Sequence, residues 1–406
     1  MSKPGTTVSL EIPLFALLFL CFFELLTDFM ASVYAFGLLQ TSVPAEIACV
    51  TLMFAPVALL SFRKVNASFV VLTAELMLAS RVASLALDTR GRMLAAGIGT
   101  AAFLLCFPAL LWHLGSRRDR GGGPRMGIAL ALATLLHVFL RAINSGNDIT
   151  GFGEWRYLGG AVALAAGVLL WVWGRSTIGT TRAERTGTAT PGTWRIAGLC
   201  VGMTAVLAML YFGLAAPAVM TCWTGGDYLW ITAMTTGTTA LFVAVWLGAP
   251  GFWRRLSPRV LLGWNLLFLS ALGLALWSSR VPFPADARDY PFPEPPVGLL
   301  GRISLPLMLL LAPVLYVNFA RFARALADAS PSVRALGGGF TLGSLFLLML
   351  IFAQVSTTVY DYVPVVGPWF RDRFWLVTLV AGAGAVLPVL LLRPQTDGVE
   401  HEWKEG

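Results

Sequence analysis

His137-Val-Phe-Leu-Arg-Ala-Ile-Asn-Ser-Gly-Asn-Asp-Ile-Thr-Gly-Phe-Gly-Glu-Trp-Arg156 follows eleven residues, Met126 to Leu136, that carry no charge. His137, Arg141, Asn144 and Asp148 fall at i, i+4, i+7 and i+11, so they line one face of a helix. The helix is otherwise apolar enough to enter a bilayer, and after Gly153-Glu-Trp155-Arg156 a second apolar run begins. A polar stripe on such a helix needs either partners on other helices or a wet cavity, because a charge at bilayer depth costs roughly 2.5–3.5 kcal/mol.

The rest of the 406-residue chain has the same character. Charged residues make up 12% and hydrophobic residues 57%, with a mean hydropathy of +0.75. A soluble domain carries about twice that share of charge, and apolar runs long enough to span a bilayer recur throughout. The first run, Ile12 to Leu39, is too long for a cleaved signal peptide and has no small-residue cleavage site after it. Twelve spans are expected, near 12–38, 43–62, 67–88, 93–114, 126–147, 156–174, 195–221, 228–249, 259–279, 299–323, 335–359 and 374–393.

Loop charge orients them. The formal net charge of +8 comes from 29 basic and 21 acidic residues. With the N-terminus inside, 19 of the basic residues fall on the cytoplasmic side, in segments such as Arg117 to Arg125 and Arg175 to Arg195, and 8 on the other. That bias is the positive-inside pattern, and losing or adding one early span would invert it. Both termini are therefore expected in the cytoplasm, and the basic residues serve orientation rather than nucleic-acid binding. The excess of Arg over Lys in an Ala/Gly-rich chain points to a high-GC bacterium and its inner membrane.

The connection after span six, residues 175–194, is the longest cytoplasmic one and is rich in Thr, Gly and Arg. It divides a six-helix bundle at 1–174 from another at 195–393, with a tail at 394–406. The opening stretch has a counterpart in the second bundle: Gln354-Val-Ser-Thr-Thr-Val-Tyr-Asp361, followed by Gly367-Pro-Trp369-Phe-Arg371. Asp148 corresponds to Asp361, Gly153 to Gly367 and Trp155 to Trp369. Pro108 in span four likewise matches Pro313 in span ten. Two parallel six-helix repeats are the plan of major-facilitator-type transporters, and the chain resembles that family: an all-α polytopic membrane protein of twelve helices. The Asp-Arg-x-Gly-Arg loop of the family is displaced, since its echo, Leu87-Asp-Thr-Arg-Gly-Arg-Met93, falls between spans three and four.

Polar residues inside spans are the candidate substrate or ion ligands: Glu24, Asp28, Glu75, Arg81, His137, Arg141, Asn144, Gln354 and Tyr360. Glu24 and Asp28 are one turn apart on span one. Glu75 and Arg81 lie about 120° apart around span three and should not pair with each other. Arg141 is expected to meet Glu24 or Asp28. Each has a bland counterpart: an interhelical Arg–carboxylate clamp, a neutral core histidine, hydroxyls bonding between helices. Asp148, Trp155, Asp361 and Trp369 sit at the outer interface, where Trp anchors and Asp ends helices. The outer loop Arg280–Pro296, with six prolines, reads as a stiff spacer.

The five cysteines contain no Cys-x-x-Cys pair and read as small core hydrophobes. No phosphate loop, HExxH or GxSxG is present and the three histidines are scattered, so neither a cofactor nor a catalytic motif is expected.

Glu24-Leu-Leu, Leu38-Leu-Gln40, Phe54-Ala-Pro56 with Arg63-Lys64, Arg90-Gly-Arg-Met93 and Val138-Phe-Leu-Arg141 resemble, in order, the N-terminal membrane region of the GPI-anchor lipid-remodelling proteins. Those carry an endonuclease/exonuclease/phosphatase-type domain after the helices. The similarity covers roughly residues 20–150 and implies a membrane module for lipid or lipid-anchor handling that acts with a separately encoded hydrolase. Two functions are thus expected from sequence: a carrier of a small solute or lipid through a polar cavity, or that module. Membrane lipids are partners in both.

Overall fold

The computed structural model describes residues 11–35, 67–116, 122–147, 155–174, 226–248, 256–278 and 299–327. Within these lie α1 (Glu11–Ala35), α2 (Ala67–Ala83), α3 (Thr89–Ser116), α4 (Gly122–Asn147), α5 (Trp155–Leu169), α6 (Gly226–Gly248), α7 (Pro258–Ser278), α8 (Leu299–Leu311) and α9 (Pro313–Ala327). A π-helical turn, Leu170–Gly174, continues α5. Expected spans two, seven, eleven and twelve lie outside the described residues. With them lie Asp148, Gln354, Tyr360, Asp361 and Trp369.

The ends of these elements follow from a few residues. The span expected over 67–88 stops at Ala83, and the next helix starts at Thr89 rather than Met93. Asp88 is the reason: its Oδ1 accepts the Gly91 N–H at 2.8 Å, an N-cap that satisfies a donor the helix cannot. The Leu87–Met93 stretch is thus a capped turn, with Arg92 Nε donating to the Leu87 carbonyl at 2.9 Å. Ser257 caps α7 in the same way, its Oγ accepting from Val260 N at 3.2 Å with Pro258 in the first helical position. The single helix expected over 299–323 is instead broken at Ala312, because Pro313 has no N–H to continue the ladder and its ring crowds the preceding turn. Pro108, its proposed counterpart, lies within the unbroken α3.

Packing forms two groups. Helices α1 to α5 assemble around α1, which is buried on all sides: Phe15, Leu18, Phe19, Phe22 and Leu25 are all in the core. Phe22 stacks on Phe103 of α3 at a centroid distance of 4.0 Å, and Phe19 meets the same ring edge-on at 5.8 Å. In the second group α8 packs on both α6 and α7. The groups join where α4 contacts α6 and α9, and α3 contacts α9. Gly127 sets that approach, since a Cβ there would stand 3.1 Å from both Ala320 Cβ and the Tyr316 carbonyl oxygen. Phe319 of α9 completes the seam against Phe19, edge-on at 5.9 Å.

The outward faces are apolar. Leu72 and Leu76 on α2, Leu164 and Val168 on α5, and Ile303, Leu307 and Leu310 on α8 are exposed at helical spacing. Several hydroxyls bond within their own helices, as Thr73 to the Phe69 carbonyl and Ser80 to the Leu76 carbonyl. Among the described residues no helix is long and apolar enough to cross a membrane.

One polar contact inside the second group escapes sequence reading. Asn265 of α7 and Asn318 of α9, both buried, exchange amide bonds: Asn318 Nδ2 donates to Asn265 Oδ1 at 2.6 Å and the reciprocal bond is 3.4 Å. Asn265 Nδ2 also donates to the Leu261 carbonyl at 2.8 Å. Asn318→Leu should strand the Asn265 amide and destabilise the protein by ~1–3 kcal/mol. Asn265→Leu/Asn318→Leu should recover most of that loss, as read from thermal unfolding in detergent.

Candidate functional site

An ion pair and a carboxylate–imidazole contact tie α1 to α4 with nearly constant offset. Glu11 Oε2 accepts from Arg125 Nη1 at 3.0 Å, and thirteen residues further along α1 Glu24 Oε1 meets His137 Nδ1 at 2.6 Å. The offsets in sequence are 114 and 113 residues, so the two helices run parallel and in register over roughly 20 Å. The outer pair is half-open to solvent on the arginine side, and the inner one is enclosed.

Glu24 is the centre. Its other oxygen, Oε2, lies 3.5 Å from Arg81 Nη2 of α2. The three residues are 5% (Glu24), 5% (Arg81) and 3% (His137) exposed, so the cluster is sealed in this conformation. Arg81 Nη1 donates to Ser84 Oγ at 3.3 Å, and that hydroxyl donates in turn to the Arg81 carbonyl at 2.7 Å. Phe23 packs beside the imidazole at a centroid distance of 5.7 Å. The Cys21 thiol is buried one turn back on α1.

Such a group of atoms has defined chemistry. Glu24 and Arg81 form a charge pair, and the His137 imidazole meets the other carboxylate oxygen through Nδ1. Stripping a buried pair of one member leaves an uncompensated charge, so each partner holds the others in place.

The structure brings together Glu24, Arg81 and His137 of the predicted residues. Glu75 is half-buried where α2 faces α5, its Oε2 3.4 Å from where a Gly167 Cβ would be. Arg81 turns to Glu24 of another helix. The side chains of Asp28, Arg141, Asn144 and Trp155 lie outside the description, though their backbones are on α1, α4 and α5. The expected meeting of Arg141 with Glu24 or Asp28 therefore falls outside the described side chains, while Arg81 and His137 are described partners of Glu24. The pairing of Glu11 with Arg125 was missed, although an acid at one helix start and a base at another, on the same membrane side, was the available signal.

No family model matches the chain, and no curated protein matches it. Among solved structures, a double-tryptophan mutant of XylE, a transporter of the major facilitator superfamily, superimposes with a TM-score of 0.54 at 13% identity. The match spans 95% of this chain and 93% of that one. The fold is major-facilitator-like. The likeness extends over both groups of helices and at this identity concerns architecture alone.

Breaking the cluster has a measurable cost. Glu24→Leu should leave the Arg81 guanidinium buried without its carboxylate and lower stability by ~3–5 kcal/mol. The double variant Glu24→Leu/Arg81→Leu should be clearly more stable than the single one. Chemical denaturation in detergent micelles reads both.

Proposed function

We propose that the protein is a secondary carrier of the major-facilitator type, which moves a small solute or lipid between its two helix groups. The observation that carries this reading is the sealed Glu24–Arg81–His137 cluster, drawn from three helices in the core of a major-facilitator-like fold. Three ionisable groups at that depth are expensive, and in membrane proteins such groups mark substrate or ion paths. The apolar outward faces of α2, α5 and α8 support a lipid setting.

In this proposal the chain crosses a bacterial inner membrane twelve times, as bundles 1–174 and 195–393 joined by 175–194, with both termini in the cytoplasm. Glu24, Arg81 and His137 form the working site. Asp28, Glu75, Arg141, Asn144, Gln354 and Tyr360 are proposed as further substrate or ion ligands. Asp148, Trp155, Asp361 and Trp369 are the duplicated outer anchor. Lipids are the surrounding partner. The alternative, a lipid-handling module serving a separate hydrolase, rests on the resemblance over residues 20–150 and on the absence of the major-facilitator Asp-Arg-x-Gly-Arg loop between spans two and three.

A thermal-shift screen of small polar solutes and lipid headgroup compounds selects the best stabiliser, whose radiolabelled form is then followed in proteoliposome counterflow. Counterflow should be at least about tenfold slower in Glu24→Gln and in His137→Gln, equivalent to ~1.4 kcal/mol in the barrier. Exchange at the unaltered rate in both variants, with both correctly folded, would remove the site from the transport path.

A further inference from the structure

Arg81 reaches Glu24 across a space that α5 leaves empty. Gly159, in the first two turns of α5, faces the guanidinium: a Cβ built there would stand 2.7 Å from Arg81 Nη2, 3.4 Å from Cζ and 3.5 Å from Nε. Nη2 is the same nitrogen that lies 3.5 Å from Glu24 Oε2. The guanidinium is therefore held on three sides, by the carboxylate, by Ser84 Oγ on Nη1 and by the bare backbone at position 159. We propose that Gly159 is a positioning residue for the ionic cluster, and that its missing side chain lets Arg81 rest against Glu24. This rests on the reading of Glu24 as the carrier's working carboxylate.

The neighbouring glycine separates positioning from packing. A Cβ at Gly160 would collide with the Leu85 side chain and with nothing charged. Both residues are buried at the crossing of α5 with α2, so both substitutions disturb the same interface. At Gly159 the obstructing atom is the far end of a flexible charged side chain. A methyl group there displaces the guanidinium, while α5 itself stays seated. Lysine offers a remedy, because its ammonium is a compact point charge without the planar fork. It keeps the positive charge on α2 and vacates the volume that Nη2 occupied.

The experiment measures the Arg81–Glu24 contact itself, by solid-state NMR dipolar coupling between guanidinium nitrogen and carboxyl carbon in lipid bilayers. Glu24→Gln identifies the Glu24 signal. The coupling should be present in the native protein, lost in Gly159→Ala and retained in Gly160→Ala. It should also be retained in Gly237→Ala, where an added Cβ meets nothing within 4 Å. In Gly159→Ala/Arg81→Lys a coupling from the lysine ammonium to Glu24 should return, together with the thermal stability lost in the single variant. An unchanged coupling in Gly159→Ala, or equal loss in Gly160→Ala, would overturn the positioning role. Loss of the coupling with full counterflow activity would uphold that role and contradict the carrier reading instead.

Discussion

One carboxylate organises the first group of helices. Glu24 gives Oε1 to His137 of α4 and Oε2 to Arg81 of α2, so three helices meet at two oxygen atoms of a fourth-turn side chain. Before it α1 is apolar from Ile12 to Phe23, and aromatic stacking of Phe22 on Phe103 adds α3 to the same centre. In the proposed bilayer setting the helices would gain little from excluding one another's apolar surface from lipid. Close packing and interhelical polar contacts then decide which faces meet. Glu24 supplies that decision here, and Glu11 with Arg125 fixes the register at the other end of the α1–α4 pair.

The second group is built by a different device. Its interior contact is the neutral exchange of amide bonds between Asn265 and Asn318, with Pro313 breaking α8 from α9 so that the latter can turn onto α3 and α4. Among the described residues the charged centre lies in the first group and the neutral amide pair in the second. Helix α4 stands between them, bearing His137 towards α1 and Gly127 towards α9. A displacement of α9 at the Gly127 seat would therefore bear on the helix that carries the histidine.

Much of the helical layout was legible in the residues because long apolar runs are strong signals. The helices over 126–147, 228–249 and 259–279 were placed to within a few residues. Asp88 was read within a displaced loop motif, yet its plainer role as an N-cap explains where α3 begins. The break at Ala312 was implicit in Pro313 and was overlooked because hydropathy averages over a window and does not see a missing N–H. Glu24, Arg81 and His137 were each identified as costly polar residues, but periodicity orders residues on one helix and says nothing about rotation between helices. That is why the meeting of Arg81 with Glu24 was not foreseen. Gly159 and Asn318 carried no signal at all, since an absent side chain and a lone amide acquire meaning only from what lies opposite.

Whether the Glu24 cluster is a working site or a permanent clamp turns on access. In the sealed conformation the carboxylate is 5% exposed, whereas a carrier must open it to water from one side and then the other. Labelling of oriented proteoliposomes with a membrane-impermeant carbodiimide, followed by peptide mass spectrometry, tests this directly. The account predicts adducts at Glu24 with reagent on either side, suppressed by the solute that stabilises the protein. No adduct at Glu24 from either side, while exposed carboxylates of the same molecules react fully, would contradict it.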